Sequence, residues 1–520
     1  MPEPHYATDK EPCIPVLFLD GHQELLGWRD VLLRAHEIED LALPLPPAAS
    51  AVLRVLTAIT ARVTALDDPE MGAGEWAARR RRLLKEPDGF DADTVHRYFD
   101  AYVWDLFDPV RPFLQDPRLP AQCDERAGVN KLVFGRPAGN NLAWLSPHTD
   151  TDPQPVPSEQ ALWHMLIHHY YGASGQCSVR TVDGQGKSGA RAGPLRSALS
   201  FHPLGRTLYE TLLAGLPKPD EDWPGTPDHC PWEEPELPDP LAKLPPVTWP
   251  GRLLTGRSRH AVLLIGSADG RQVTDAYLTW ATQTKLPATD PFLIHHDNPN
   301  EPVTRRHQPR SADADRALWR DLDALLLAGD EDAAVQRPEA FTTLNDLPAD
   351  LRTHLRVRVH GFDQDGKTVN RTWYTALTPP IWPWTQEHDA AAAERIADCR
   401  QQAEAIGALL DKVSKDAWRT VTTPPGSARA SRPPKRLPPW MKRARAAYWP
   451  RAETVFWNLL KTPERDARTA FAAEAAAVLR ETSRPAIAHH FRAAPAIAAA
   501  VAALHRPPAT RRRTTQRRSA

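Results

Sequence analysis

Ile396-Ala-Asp-Cys399-Arg-Gln-Gln-Ala403-Glu-Ala-Ile406-Gly-Ala-Leu-Leu410-Asp-Lys-Val413 steps its apolar residues by three and four. That spacing returns them to one face of a 3.6-residue turn and predicts an amphipathic helix with a bundle-type seam. The change of character begins at about residue 388. Three further helical stretches follow at about 440–460, 464–482 and 486–504, with Pro438, Pro439, Pro463 and Pro485 near their starts. Together they read as a four-helix bundle. Its anchors are modest and alanine-rich, which suits packing and docking better than a catalytic pocket.

Upstream of the bundle the pattern is mixed. Ile-Pro-Val-Leu-Phe-Leu from residue 14 and Ala261–Ile265 read as strands, and Leu355-Arg-Val-Arg-Val-His360 alternates strictly. The Asp365-Gly366 pair then predicts a tight turn, so 355–377 reads as a hairpin with Gln364 near its tip. Helices are expected from about Pro47, from Thr94 to Asp105, from Ala161 to Tyr171 behind a Ser158-Glu159 cap, and from Arg206 to Leu216. Residues 120–160, rich in Pro, Gly, Asn and Asp, read as a long loop, and 53 prolines make such loops frequent. The fold class expected is α+β. A mixed domain with long loops and small β-elements spans 1–385, a four-helix bundle spans 386–505, and a basic tail, 506–520, is expected to be disordered.

Composition limits the function. Net charge is −1 over 520 residues, so no global field draws in nucleic acid, and any such binding must come from local clusters. Arg79–Arg82, the group Lys435, Arg436, Lys442, Arg443 and Arg445, and the tail arginines form such clusters. Five scattered cysteines make no C-x-x-C pair, which argues against structural zinc or a disulfide scaffold and suits a reducing cytoplasm. No signal-peptide pattern opens the chain, and no apolar run approaches the ~18 residues that span a bilayer.

The most suggestive stretch is Thr181-Val-Asp-Gly-Gln-Gly-Lys-Ser-Gly-Ala-Arg-Ala-Gly193. Its glycines leave the main chain bare, and Lys187 and Arg191 add charge, so it reads as a loop built to touch a polyanion. A Walker A loop is one reading of Gly186-Lys187-Ser188, but Thr181 stands where the first glycine is required. A surface loop with incidental charge is another reading, and nucleic-acid contact a third. His295-His296-Asp297 is the best metal candidate, although adjacent histidines seldom converge on one ion. His168-His169 and His489-His490 read as core or interface residues. No nucleophile elbow, H-E-x-x-H or paired-carboxylate motif stands out. The chain reads as a binder without a cofactor.

Several separate segments resemble the CasA family, large subunits of the type I-E CRISPR surveillance complex Cascade. They are Gly27-Trp-Arg-Asp-Val-Leu-Leu-Arg-Ala-His-Glu37, Phe107-Asp-Pro-Val-Arg-Pro-Phe-Leu-Gln115, Gly139-Asn-Asn141, the Gly-Lys-Ser-Gly stretch, Leu208-Tyr-Glu-Thr-Leu-Leu213, Asp228-His-Cys-Pro-Trp-Glu233 and Leu278-Thr-Trp280. With the C-terminal helices they cover nearly the whole chain. The resemblance implies a non-catalytic subunit that recognises a protospacer-adjacent motif (PAM) in duplex DNA and starts an R-loop. Its implied partners are the RNA-containing complex, target duplex and displaced strand, and a helicase-nuclease. It places a minor-groove glycine loop at Gly184, Gln185, Gly186 and Lys187, and a lysine finger near Lys285. It places a strand-separating wedge at Gln364, with Asp365, Gly366 and Lys367 beside it. A loop docking on the RNA handle falls at Asn140, Asn141, Trp144, Leu145 and His148. Lys435, Arg436, Lys442, Arg443 and Arg445 would meet phosphates. Some members carry a mid-chain cysteine cluster; this chain does not, so no zinc is expected.

Overall fold

In the computed structural model the described residues are 3–86, 88–138, 146–219, 226–284, 289–298, 301–302, 306–328, 335–423 and 436–507. The chain divides into two units, Met1–Leu318 with Ala324–His388, and Trp319–Asp323 with Asp389–Ala520.

The first unit is organised around one buried helix, Pro46–Thr64. Two prolines occupy its first turn, where their missing N–H groups cost nothing, and Ala65 closes it at φ 48°. Alanine, valine, leucine and isoleucine cover nearly all of its surface, so it is buried on every side. Its one fully buried charge, Arg54, is neutralised internally. Arg54 Nη2 and Nε donate to Asp290 at 2.8 and 3.0 Å, and Nη2 also reaches Ser200 Oγ at 3.0 Å. Burial opposes the Asp290 charge, yet Arg54 and Arg257 hold its carboxyl below the usual range.

Around this helix stand the helix Ser158–Tyr171 and small antiparallel sheets. One sheet places Arg356–Gln364 between Asn370–Leu377 and Leu199–Leu204. Another pairs His260–Gly266 with Gln272–Trp280, and a third sets Ile14–Phe18 between Gln23–Leu26 and Ile38–Leu41. No helix among the described residues is long and apolar enough to cross a membrane.

The second unit contains helices Ala390–Thr422, Met441–Lys461, Ala467–His489 and Ala493–Leu504. The seam from Ile396 to Val413 is buried throughout at the expected positions. Residues 319–323 belong to this unit. Trp319, 2% exposed, lies 4.7 Å from the Phe456 ring, and Arg320 and Asp323 pair with Glu404 and Arg400.

The structure moves several expected boundaries. Pro485 lies inside the third bundle helix instead of opening the fourth, which begins at Ala493. Ser158 is the first residue of its helix and donates to Gly270 O, so it is not a cap. His168 and His169 are core residues, whereas His489 and His490 are exposed.

Candidate nucleic-acid interface

The stretch expected to be a loop at 181–193 is a two-stranded hairpin, Gly175–Val182 paired with Gln185–Ala190. Asp183 at φ 48° and Gly184 at φ 74° form its turn. Two consecutive positive φ values make a type I′ turn, for which Asp-Gly is a preferred pair. That dipeptide was the overlooked signal; the weak apolar content of the strands hid it. Gly186, Lys187 and Ser188 are therefore strand residues, and no helix N-terminus follows them as a Walker A loop would need.

The glycines fall into two classes. A Cβ on Gly193 would sit 2.5 Å from Tyr170 O, and one on Gly172 would strike His260, so packing inside the protein explains both. A Cβ on Gly184 or Gly189 would meet nothing within 4 Å, and one on Gly186 would make only ordinary 3.5 Å contacts. Gly184 needs glycine for its backbone conformation. Gly186 and Gly189 have no internal reason to lack a side chain, and both are exposed.

The hairpin is bare but firmly seated. Arg180 is fully buried and donates to Gln122 Oε1, Trp280 O and Asp116 Oδ2 at 2.8, 3.0 and 2.6 Å. Burial lowers its pKa while Asp116 works against that shift. Trp280 Nε1 donates to Lys187 O at 2.9 Å, and the Lys187 ammonium lies 5.8 Å from the Trp280 ring centroid. Gln283 Nε2 donates to Gly189 O at 3.0 Å, so the chain up to Thr284 runs beside the hairpin. Lys285 lies outside the described residues.

The second hairpin differs from expectation at its end. Gln364 closes the strand Arg356–Gln364 and is 5% exposed. Its Nε2 donates to Asn370 Oδ1 at 2.8 Å and Tyr171 O at 3.2 Å, and its Oε1 accepts from Ser197 N. A register shift between Asp363 and Gln364 accompanies this inward placement. The exposed tip is Gly366 to Val369, with Asp365 half-buried at its base. Asp365 Oδ1 accepts from Lys367 N and Val369 N, and these bonds hold its carboxyl below the usual range.

Arg196 fixes this tip from below. It donates to Asp365 O, Val369 O, Asn370 Oδ1 and Tyr171 O at 2.8–3.1 Å. Burial brings its pKa down to about 10, against the pull of Asp365. Ser174 N donates to Lys367 O at 3.1 Å, joining the tip to the residue before the glycine hairpin. The two segments, far apart in sequence, are thus brought together. Arg180, Trp280, Gln283 and Arg196 position the site, and sequence reasoning assigned none of them a role.

Of the remaining expected residues, Asn140, Asn141, Trp144, Leu145 and Lys435 lie outside the described residues. His148 is half-buried, next to Thr149, whose carbonyl accepts from Asn130 Nδ2 at 2.8 Å. Arg436, Lys442 and Arg443 are exposed on the second unit, while Arg445 is engaged by Asp411. His295–Asp297 form a short strand, and no metal-holding group of His, Cys, Asp and Glu occurs among the described residues.

Comparison with known proteins supplies the family. A protein of Thermus thermophilus described as "CRISPR-associated protein CasA/Cse1" is 28% identical over 431 residues, 79% of this chain and 77% of that protein. A chain of a solved "CRISPR RNA-guided surveillance complex" is 38% identical and superposes with a TM-score of 0.85, covering 96% of this chain and 99% of that one. The Cse1 of Thermobifida fusca, 19% identical over 96% of this chain and 97% of its own, shares the fold with a TM-score of 0.72. The profile of the family described as CRISPR-associated protein Cse1 matches residues 10–488. The chain belongs to the CRISPR-associated protein Cse1 family.

Proposed function

We propose that the chain is the large subunit of a type I-E CRISPR RNA-guided surveillance complex. In this reading it works in the cytoplasm without catalysing a reaction, and recognises the PAM in duplex DNA from the minor groove. The observation that carries this reading is the pair Gly186 and Gly189, exposed on a seated hairpin and unrequired by internal packing. A groove about 6 Å wide excludes most backbones that carry side chains. It also reports little beyond A·T against G·C, so a backbone reader with one or two ammonium groups should accept several related motifs. Lys187 and Lys285 are the cations assigned to this role.

The neighbouring tip then opens the first base pair. Gln364 was the expected wedge, but its amide is committed to Asn370 and Tyr171. We assign the opening to the exposed tip, Gly366 and Lys367 on Asp365, with Gln364 as its inner support. Parting one step costs a few kcal/mol. RNA pairing continues what the wedge starts, because heteroduplex exchange is otherwise near balance. The loop with Asn140, Asn141, Trp144, Leu145 and His148 docks on the RNA handle. Arg436, Lys442 and Arg443, with Lys435 and Arg445, hold phosphates in a salt-dependent way. The subunit also helps recruit the helicase-nuclease.

The test is target capture by the assembled complex. Gly186→Val should erase the preference for motif-bearing over motif-less duplex and leave assembly intact. Lys367→Ala should weaken capture of intact duplex about tenfold yet spare a target already unpaired at its first position. Unchanged motif preference in the first variant, or equal loss on both targets in the second, would refute the assignment.

A further inference from the structure

The first unit holds a cavity of about 380 Å³ under the segment 227–247. Its roof explains why the space is there. Six prolines stand between residues 231 and 246, so the segment lacks the N–H groups that a helix or sheet needs and crosses as an open strap. Guanidinium groups suspend it by its carbonyls. Arg111 Nη2 donates to Glu234 O, Arg118 Nη2 to Pro238 O at 3.0 Å, and Arg252 Nη1 to Pro227 O at 3.1 Å. Leu237, Leu244 and Val247 of the strap line the cavity and are half-buried.

The floor is aromatic and fixed. Phe113 and Trp232, with ring centroids 5.6 Å apart, are buried there, as is Tyr170. Leu114 in the same wall is held at φ 57°, a conformation leucine seldom adopts, and its carbonyl accepts from His169 Nε2 at 3.0 Å. The other ring nitrogen, Nδ1, therefore accepts from Ser258 Oγ at 2.8 Å. Burial brings the pKa of this imidazole down to about 4, so it is neutral near pH 7. A preformed, mostly apolar space of this volume falls in the range of small-molecule sites, about 300–1,000 Å³.

The charges at the wall are already matched. Asp116 pairs with Arg118 and Arg180, Glu233 with Arg62, Arg252 with Glu234, and Arg257 with Asp290. An ionic ligand would leave water and meet no free counter-charge, which is costly. An uncharged ring system would meet aromatic faces and aliphatic side chains of its own kind. The Tyr102 hydroxyl, whose proton is held by burial and by Glu233, adds a hydrogen-bond donor to the lining.

We propose that this cavity is a binding site for an uncharged small molecule of one or two aromatic rings. Neither Gly186, Gly189 nor the tip at 365–369 lines it, so the proposal is independent of the motif reading.

Two fluorescent probes with one skeleton test it on the full-length chain: N-phenyl-1-naphthylamine, which is uncharged, and its sulfonate, 8-anilino-1-naphthalenesulfonate. The uncharged probe should bind saturably, one molecule per chain, and about tenfold more tightly than the sulfonate. Leu237→Asp, on the half-buried strap, should weaken it about tenfold, whereas Leu237→Met should retain it. Benzophenone, an uncharged two-ring photolabel, should mark 111–118 or 227–247 of the wild-type chain, and N-phenyl-1-naphthylamine should suppress that label. Equal or tighter binding of the sulfonate, binding unaltered by Leu237→Asp, or labels confined to other segments would each overturn the proposal. So would loss of the probe when the chain enters the surveillance complex, which would make a neighbouring subunit the occupant.

Discussion

At the level of single residues, the first unit buries neutral histidines. Burial pushes His164, His169 and His260 down to about 4 and His360 to about 3, while His168 and His202 fall well below their usual 6.5. Each ring binds its proton less tightly folded than unfolded. Between about pH 4 and 6.5 the unfolded chain therefore holds more protons. Stability should be complete above about pH 6.5 and decline as pH falls through that window. Calorimetry from pH 7.5 to 5 should show a falling Tm, and His360→Phe should make the slope shallower; a flat profile would contradict the burial argument. These histidines show how far sequence reaches at this scale. His168-His169 sit in an apolar helical run and were legible as core. The His202–His360 contact, 6.0 Å between rings, joins strands that nothing local to either sequence brings together.

At the scale of the element, a strand hairpin is only as stiff as what lies beneath it. The tip at 365–369 has no apolar anchor of its own, since Val369 is 51% exposed. Its rigidity comes from Arg196 and Gln364, which tie it to Tyr171 O at the end of the helix Ser158–Tyr171. Arg196→Ala should raise hydrogen exchange at 365–370 and cut capture of intact duplex by about tenfold while sparing pre-opened targets. Arg196→Lys should rescue little, because one ammonium cannot reach four acceptors in a fork. Unaltered exchange at the tip would remove Arg196 from this role. The hairpin over 355–377 was readable from alternation and Asp365-Gly366. The inward turn of Gln364 was not, because it depends on a register shift and on Ser197, Asn370 and Tyr171 arriving from elsewhere. The glycine hairpin shows the converse: Asp183-Gly184 carried the turn signal, but flanking glycines and serines concealed the strands.

For the molecule as a whole, the α+β reading and the four bundle helices were legible from local spacing and proline punctuation, although Pro485 misplaced the boundary between the last two helices. The contribution of residues 319–323 to the bundle unit was not, because Leu318-Trp-Arg-Asp-Leu322 carries no mark of its destination. Trp319 packs with Phe456 and Trp449, and two ion pairs flank it. Trp319→Ala should cost the bundle about 3–5 kcal/mol in chemical denaturation, as expected for deleting a large buried aromatic. A loss under about 1 kcal/mol would show the segment to be a passenger. The polypeptide passes between the two units three times: before Trp319, after Asp323 and after His388. A protease nick at 388/389 would thus yield two fragments that still co-purify, because the first keeps a tryptophan peg in the second. Genetic splitting at that bond should accordingly give complementing halves instead of two independent proteins.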